Sequence, residues 1–200
     1  MNHIDNFSAF LVASTLLILS PGPGTLAILG AATGSRRAGF EALAGTSLGD
    51  ATLITIAALG AETLLRSYPG AFDVLRYGGG AYLVWLGLQA LRSKEQALAL
   101  ITPEPGHAFK RSLLVTLLNP KAVVFFMAFF PQFVSPGGGA SSFATLGAVF
   151  VAMNCLYQSM LISGAAWVIG HLDEAPHWTL WINRILGLAF MGFGVKLAIG

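Results

Sequence analysis

Residues 122–170 read AVVFFMAFFPQFVSPGGGASSFATLGAVFVAMNCLYQSMLISGAAWVIG, without one Asp, Glu, Lys or Arg. About 20 apolar residues cross the hydrocarbon core of a bilayer, so this run is too long for one span. Ser135-Pro-Gly-Gly-Gly139 supplies the turn formers that divide it into two. Outward from that division, apolar stretches at 7–32, 42–65, 71–91, 112–134, 143–170 and 178–199 all reach spanning length. The gaps between them carry most of the charge. The reading is an all-α membrane protein with six transmembrane helices rather than five. The first stretch, MNHIDNFSAFLVASTLLILS, lacks a basic leader and runs directly into Pro-Gly-Pro-Gly, so it reads as a span and not as a signal peptide.

Composition agrees with lipid as the solvent. Of 200 residues, 55% are hydrophobic and 10% charged, where a soluble domain carries roughly 25% charged residues. Mean hydropathy is +0.72. The net charge of +2 is small and scattered, which argues against a nucleic-acid partner. Cys155 stands alone, so neither an intramolecular disulfide nor a CxxC redox pair can form. His3, His107, His171 and His177 lie far apart near expected helix ends, without metal-site spacing. No metal and no cofactor are expected.

Basic residues orient the spans. Arg36, Arg37, Arg92, Lys94, Lys110, Arg111 and Arg184 fall on one side, against Arg66, Arg76 and Lys196 on the other, the latter partly offset by Glu62 and Asp73. The richer side should be cytoplasmic, which puts both termini in the periplasm.

The two halves, residues 1–100 and 101–200, resemble each other within one membrane domain. Gly34-Ser-Arg-Arg-Ala-Gly-Phe40 and the apolar run to Asp50 align with Gly138-Gly-Ala-Ser-Ser-Phe143 and the run to Asn154. Pro21 matches Pro120, and Gly80 with Gly87 matches Gly187 with Gly194. Three spans per half is an odd number, so the second half should sit inverted relative to the first. The change from Arg-Arg to Ala-Ser suits a loop that moves from cytoplasm to exterior.

Polar groups at mid-membrane are where chemistry is expected. Ser20-Pro21-Gly22-Pro23-Gly24 interrupts the first span: each proline removes an N–H donor and clashes with the carbonyl four residues back. Freed carbonyls cannot face lipid, so this backbone should face protein or a wet cavity. The second half-helix then offers the positive end of its dipole to an anionic group. A kink used only for packing is the alternative. Asn119-Pro120-Lys121 makes a matching break in the fourth span, with Asn119 available as a cap. An unpaired Lys there costs about 3 kcal/mol on insertion scales. Lys121 could pair with an acid, hold a substrate carboxylate, or snorkel to an interface.

Asp50 is the acid well inside a span. Desolvation disfavours its charged form, which makes it a candidate proton carrier. Thr46, one turn earlier, could bond the carboxylate, and Gly45 with Gly49 would admit a neighbouring helix. A static Asp50–Lys121 ion pair remains the alternative. Asn154, in the slot equivalent to Asp50, and Gln158 one turn on could coordinate substrate or simply join helices. Tyr82, Trp85 and Trp167 could line a cavity or pack in the core, while Trp178 and Trp181 suit the interface belt.

Ser20-Pro-Gly-Pro23, Gly45-x-x-x-Gly-Asp50 and Leu118-Asn-Pro-Lys-Ala122, with a six-span plan of this length, resemble the LysE/RhtB family of bacterial amino-acid exporters. The resemblance covers nearly the whole chain. It implies a non-enzymatic secondary transporter that moves amino acids or close derivatives out across the inner membrane, by exchange with protons. Its partners would be an amino-acid-like solute, protons and the bilayer, with a second copy of the chain a further candidate. Two helices broken at prolines, 1 and 4, would bring substrate-binding or coupling residues from both halves to a midplane cavity. A cation exporter would show acid- or His-rich loops, and an electron carrier two intramembrane cysteines. A structural or partner-binding subunit would have little use for an acid, a base and two breaks at one depth.

Overall fold

The structure is a computed structural model describing residues 4–20, 22–67, 70–92, 107–135, 138–165 and 176–199. Pro21, Lys94, Trp167 and His171 lie outside the described residues, as do the side chains of Trp178 and Trp181 and of the charged residues Arg66, Arg76, Arg92 and Lys196. Among the described residues the chain is helical, with one isolated antiparallel bridge between Ile4 and Val134.

The proline-glycine breaks cut where the backbone chemistry requires. Helix α1 (Phe7–Leu19) closes with the Ser20 N–H on the Leu16 carbonyl at 3.0 Å. Helix α2 (Pro23–Gly34) restarts with Pro23 at its first position, where a missing N–H costs nothing. The two axes are bent by 50°. The fourth stretch repeats the device. Helix α5 (Ala108–Leu117) ends, Asn119 adopts extended backbone, and its side-chain oxygen accepts from the Lys121 N–H at 3.0 Å as an N-cap. Helix α6 (Pro120–Val124) follows at a bend of 52° and winds into a π-helical turn, Phe125–Phe129, and a 3-10 turn, Phe130–Phe133.

The uninterrupted helices are α3 (Arg36–Ser67), α4 (Ala71–Arg92), α7 (Gly139–Ser163) and α8 (Pro176–Ile199). The 36–60 part of α3 and the whole of α7 are long and apolar enough to cross a membrane, and each bent pair passes the same test as one composite span. Helices α4 and α8, of 22 and 24 residues, reach about 33 and 36 Å, the thickness of a bilayer core.

Small residues set how closely the helices approach. A Cβ on Gly87 would lie 2.5 Å from the Gly187 carbonyl oxygen, and one on Gly194 would lie 2.5 Å from that of Gly80. Residue 80 thus meets 194 while 87 meets 187, an antiparallel crossing. Helix α3 rests on α5 through Gly45 and Gly49: a Cβ on Gly45 would run into the Phe109 carbonyl, and one on Gly49 would come within 2.8 Å of Thr116. The obstacle at Gly45 is backbone and cannot rotate aside. Gly45→Val should therefore destabilise the protein by about 3 kcal/mol, the upper range for overpacking. Gly60→Ala, with nothing within 4 Å, should leave the melting temperature nearly unchanged. Thermal unfolding in detergent compares the two.

Two apolar clusters form with a polar layer between them. Along α3, Ala42 and Leu43 join one cluster, Thr46 and Asp50 follow, and Leu53, Ile54 and Ala57 join the other. Along α7 the order reverses: Phe143, Leu146 and Phe150, then Asn154 and Gln158, then Ile162. The cluster that holds Leu53 and Phe143 is dominated by phenylalanines, with Phe10, Phe125, Phe126 and Phe130 almost wholly buried and packed edge to face. The cluster that holds Ala42 and Ile162 is built from alanine, leucine and isoleucine.

Candidate functional site

The polar layer lines a cavity of about 70 Å³, room for on the order of five waters. Both helix breaks open onto it. Ser20, Gly22 and Gly24 come from the first, Asn119 and Lys121 from the second. Helix α3 supplies Thr46 and Asp50, and α7 supplies Asn154 and Gln158. Pro23 and Pro120 are exposed at the first positions of α2 and α6 and shape the breaks without lining the space. Pro21, the remaining candidate, lies outside the described residues.

Lys121 neither snorkels nor pairs with Asp50. Its ammonium donates to the carbonyls of Leu17 at 3.0 Å and Ser20 at 2.7 Å, and lies 5.7 Å from the Phe190 ring centre. Covalent chemistry explains the first partner. In an unbroken helix the Leu17 carbonyl would accept from residue 21, and proline has no N–H to give. Lys121 thus replaces a backbone donor that a proline lacks, at the negative end of the α1 dipole. An ammonium has three N–H groups, so one remains without a protein partner among the described residues.

Asp50 is buried, at 4% exposure, and accepts one hydrogen bond, from Asn154 Nδ2 at 2.9 Å. The Asn154 carbonyl in turn accepts from Gln158 Nε2 at 3.4 Å, and the same nitrogen donates to Thr25 Oγ1 at 3.2 Å. One neutral donor is a thin supply for a buried carboxylate, which usually finds a cation or several donors.

The expected Thr46–Asp50 bond is absent: Thr46 Oγ1 is buried without a partner. The reason is its orientation. Thr15, Thr52, Thr55 and Thr145 all bond the carbonyl four residues back, the default for a helical threonine. Thr46 and Thr116 do not, and the hydroxyls of both are buried without partners in residues that line the cavity, as is Gln158 Oε1. Buried polar atoms without partners are rare, and three in residues around one cavity leave bonding capacity for waters or a polar ligand.

Sequence reasoning missed Thr25, Thr116 and the apolar wall made by Leu17, Ile18, Ala122, Phe126 and Phe150. The two threonines carried a usable signal, being hydroxyls close beside the breaks. The wall carried none, because those residues are indistinguishable from core. Trp85 is half exposed on α4 with Tyr82 against it, and neither lines the cavity.

Comparison with known proteins identifies the family. Residues 15–200 match the model of the LysE type translocator family. A leucine efflux protein of Klebsiella pneumoniae is 35% identical, with 96% of this chain and 94% of the relative covered. Proteins of the same description from Salmonella choleraesuis, at 34% with the same coverage, and from Enterobacter, at 35% over 96% of this chain and 95% of the relative, are similarly close. No solved structure matches the chain. The chain belongs to the LysE type translocator family, and it is a membrane transporter, not an enzyme.

Proposed function

We propose that this protein exports neutral amino acids with apolar side chains from the cytoplasm across the bacterial inner membrane, in exchange for protons. The observation that carries the reading is the gathering of unpartnered Thr46, Thr116 and Gln158 oxygens with Asp50 and Lys121 around one cavity. A zwitterion matches that set. Its ammonium would meet Asp50 and the orphaned oxygens. Its carboxylate would meet the third N–H of Lys121 and the first N–H groups of α2 at Gly24 and Thr25. The wall formed by Leu17, Phe126 and Phe150 suits an apolar side chain, in keeping with the leucine named for the relatives.

Several features support two inverted three-helix repeats. Asp50 and Asn154 occupy equivalent slots and hydrogen-bond each other, as residues beside a two-fold axis would. Gly22 and Lys121, each one residue past its repeat's proline, also meet: a Cβ on Gly22 would sit 3.7 Å from Lys121 Nζ. The α4–α8 crossing maps onto itself under the same exchange. Six spans then rock about a midplane site. With both termini periplasmic, the phenylalanine cluster closes the outer side and the cluster of alanine, leucine and isoleucine the cytoplasmic side. Substrate enters past the latter, Asp50 takes up a proton from outside, and the ammonium loses its counter-charge and leaves.

An export assay across a panel of amino acids tests the substrate class. Cells overproducing the protein should release leucine, isoleucine and methionine. Lysine should be exported about 100-fold more slowly, because its second ammonium meets no second acid among the described lining residues and would be buried unpaired. Equal export of lysine, or export of an inorganic cation alone, would exclude the proposed class.

A further inference from the structure

We infer that Asp50, Asn154, Gln158 and Thr25 form an amide relay in which the ionisation of Asp50 decides which end of the Gln158 amide faces the substrate. The inference rests on the export reading above for its ligand. Its basis is a chain of obligatory donors and acceptors.

An ionised carboxylate only accepts, so Asn154 must turn its NH2 toward Asp50. That leaves the Asn154 carbonyl facing Gln158, which must answer with its own NH2. The same NH2 donates to Thr25, and the Gln158 carbonyl oxygen is left buried and unpartnered, on a side chain that lines the cavity. Each amide has one allowed orientation, and the last group presents an acceptor for an ammonium.

A proton on Asp50 makes one carboxyl oxygen a donor, and no other bond forms or breaks. Asn154 then gains by turning its carbonyl to the O–H and its NH2 to Gln158. Gln158 answers by turning its carbonyl inward, which brings its NH2 to the cavity. Thr25 serves both arrangements because a hydroxyl can accept or donate. Protonation therefore removes the negative charge and, through two amides, replaces an ammonium acceptor with a donor. Asn154 is a positioning residue, and Gln158 is the group that touches substrate.

The other titratable side chains around this chain are few. Lys121 reaches the cavity from α6. On α7, Cys155 bonds Ser47 and Tyr157 is half-buried. Helix α5 brings Lys110 and Arg111 at its far end, α4 brings Tyr77 and Tyr82 among its described side chains, and α2 has no titratable residue.

The test is leucine binding by the purified protein, followed by calorimetry in alkaline and in mildly acidic buffer. The wild type should bind more tightly in alkali. Gln158→Met should lower the alkaline affinity about tenfold, the value of a hydrogen bond to a charged group, and leave the acidic affinity within about twofold. Asn154→Leu should do the same, and the double variant should be no worse than Gln158→Met alone. Where Asn154→Leu does not fold, the unequal loss in Gln158→Met alone carries the test. Affinity lost by equal factors in both buffers, or additive losses in the double variant, overturns the relay and leaves the export reading standing. No leucine binding by the wild type in either buffer overturns the substrate class, and the relay falls with it.

Discussion

Asp50→Asn should reduce proton-driven leucine export by about 100-fold while the protein still inserts and folds. Asparagine keeps the shape of the side chain and can still bond Asn154, but it carries neither charge nor a titrating proton. The lost interaction is a charge-assisted hydrogen bond to an ammonium, about 1.5–3 kcal/mol, which converts to roughly 10- to 150-fold in affinity. Loss of the coupling proton adds to that. Stability should hold or rise slightly, because an almost unpaired buried carboxylate is costly to the fold. Efflux from proteoliposomes under an imposed proton gradient, read beside a detergent melting curve, checks both halves. Undiminished export by a folded Asp50→Asn protein would remove the carboxylate from the mechanism.

Lys121→Met should abolish export and also weaken the fold, and the two losses can be separated. The substitution strands the carbonyls of Leu17 and Ser20. At about 1–3 kcal/mol for each unsatisfied buried group, the destabilisation should total about 2–6 kcal/mol. Adding Pro21→Ala supplies a backbone N–H four residues after Leu17 and should recover about half of it. Export should stay lost in the double variant, because the cavity still lacks its ammonium. A double variant that regains both stability and export would make Lys121 a helix cap and nothing more. Lys121→Arg should retain the fold better than Met, since a guanidinium can still donate to both carbonyls.

The helices were legible because their causes are local. A run without charge, a Ser-Pro-Gly-Gly-Gly divider and two prolines without N–H groups state where spans begin and break, whatever surrounds them. The α1–α2 and α5–α6 interruptions stand at those prolines. Element ends were less legible: α3 begins at Arg36, ahead of the apolar stretch, since polar residues extend a helix beyond the lipid without breaking it. The π-helical turn at Phe125–Phe129 had no local signal, because aromatic residues of that kind fit an ordinary helix equally well.

The site divides along the same line. Asp50, Asn154, Lys121 and the two breaks were named because each is expensive in lipid wherever it points. Their partners were not nameable. An Asp50–Lys121 pair was the alternative that charge offered, yet Lys121 turns to the carbonyls of Leu17 and Ser20 at the end of α1. Thr46 was within reach of Asp50 on the sequence, and its hydroxyl is instead buried without a partner.

From its sequence alone, this protein was readable as a helical membrane protein with two interrupted spans, and as a transporter through its family motifs. Hydropathy and proline chemistry act on each residue independently of distant ones. Which donor met which acceptor, which hydroxyls stayed free, and which phenylalanines became a wall were decided by tertiary structure. Those outcomes depend on residues about a hundred positions away that only packing brings within hydrogen-bond reach.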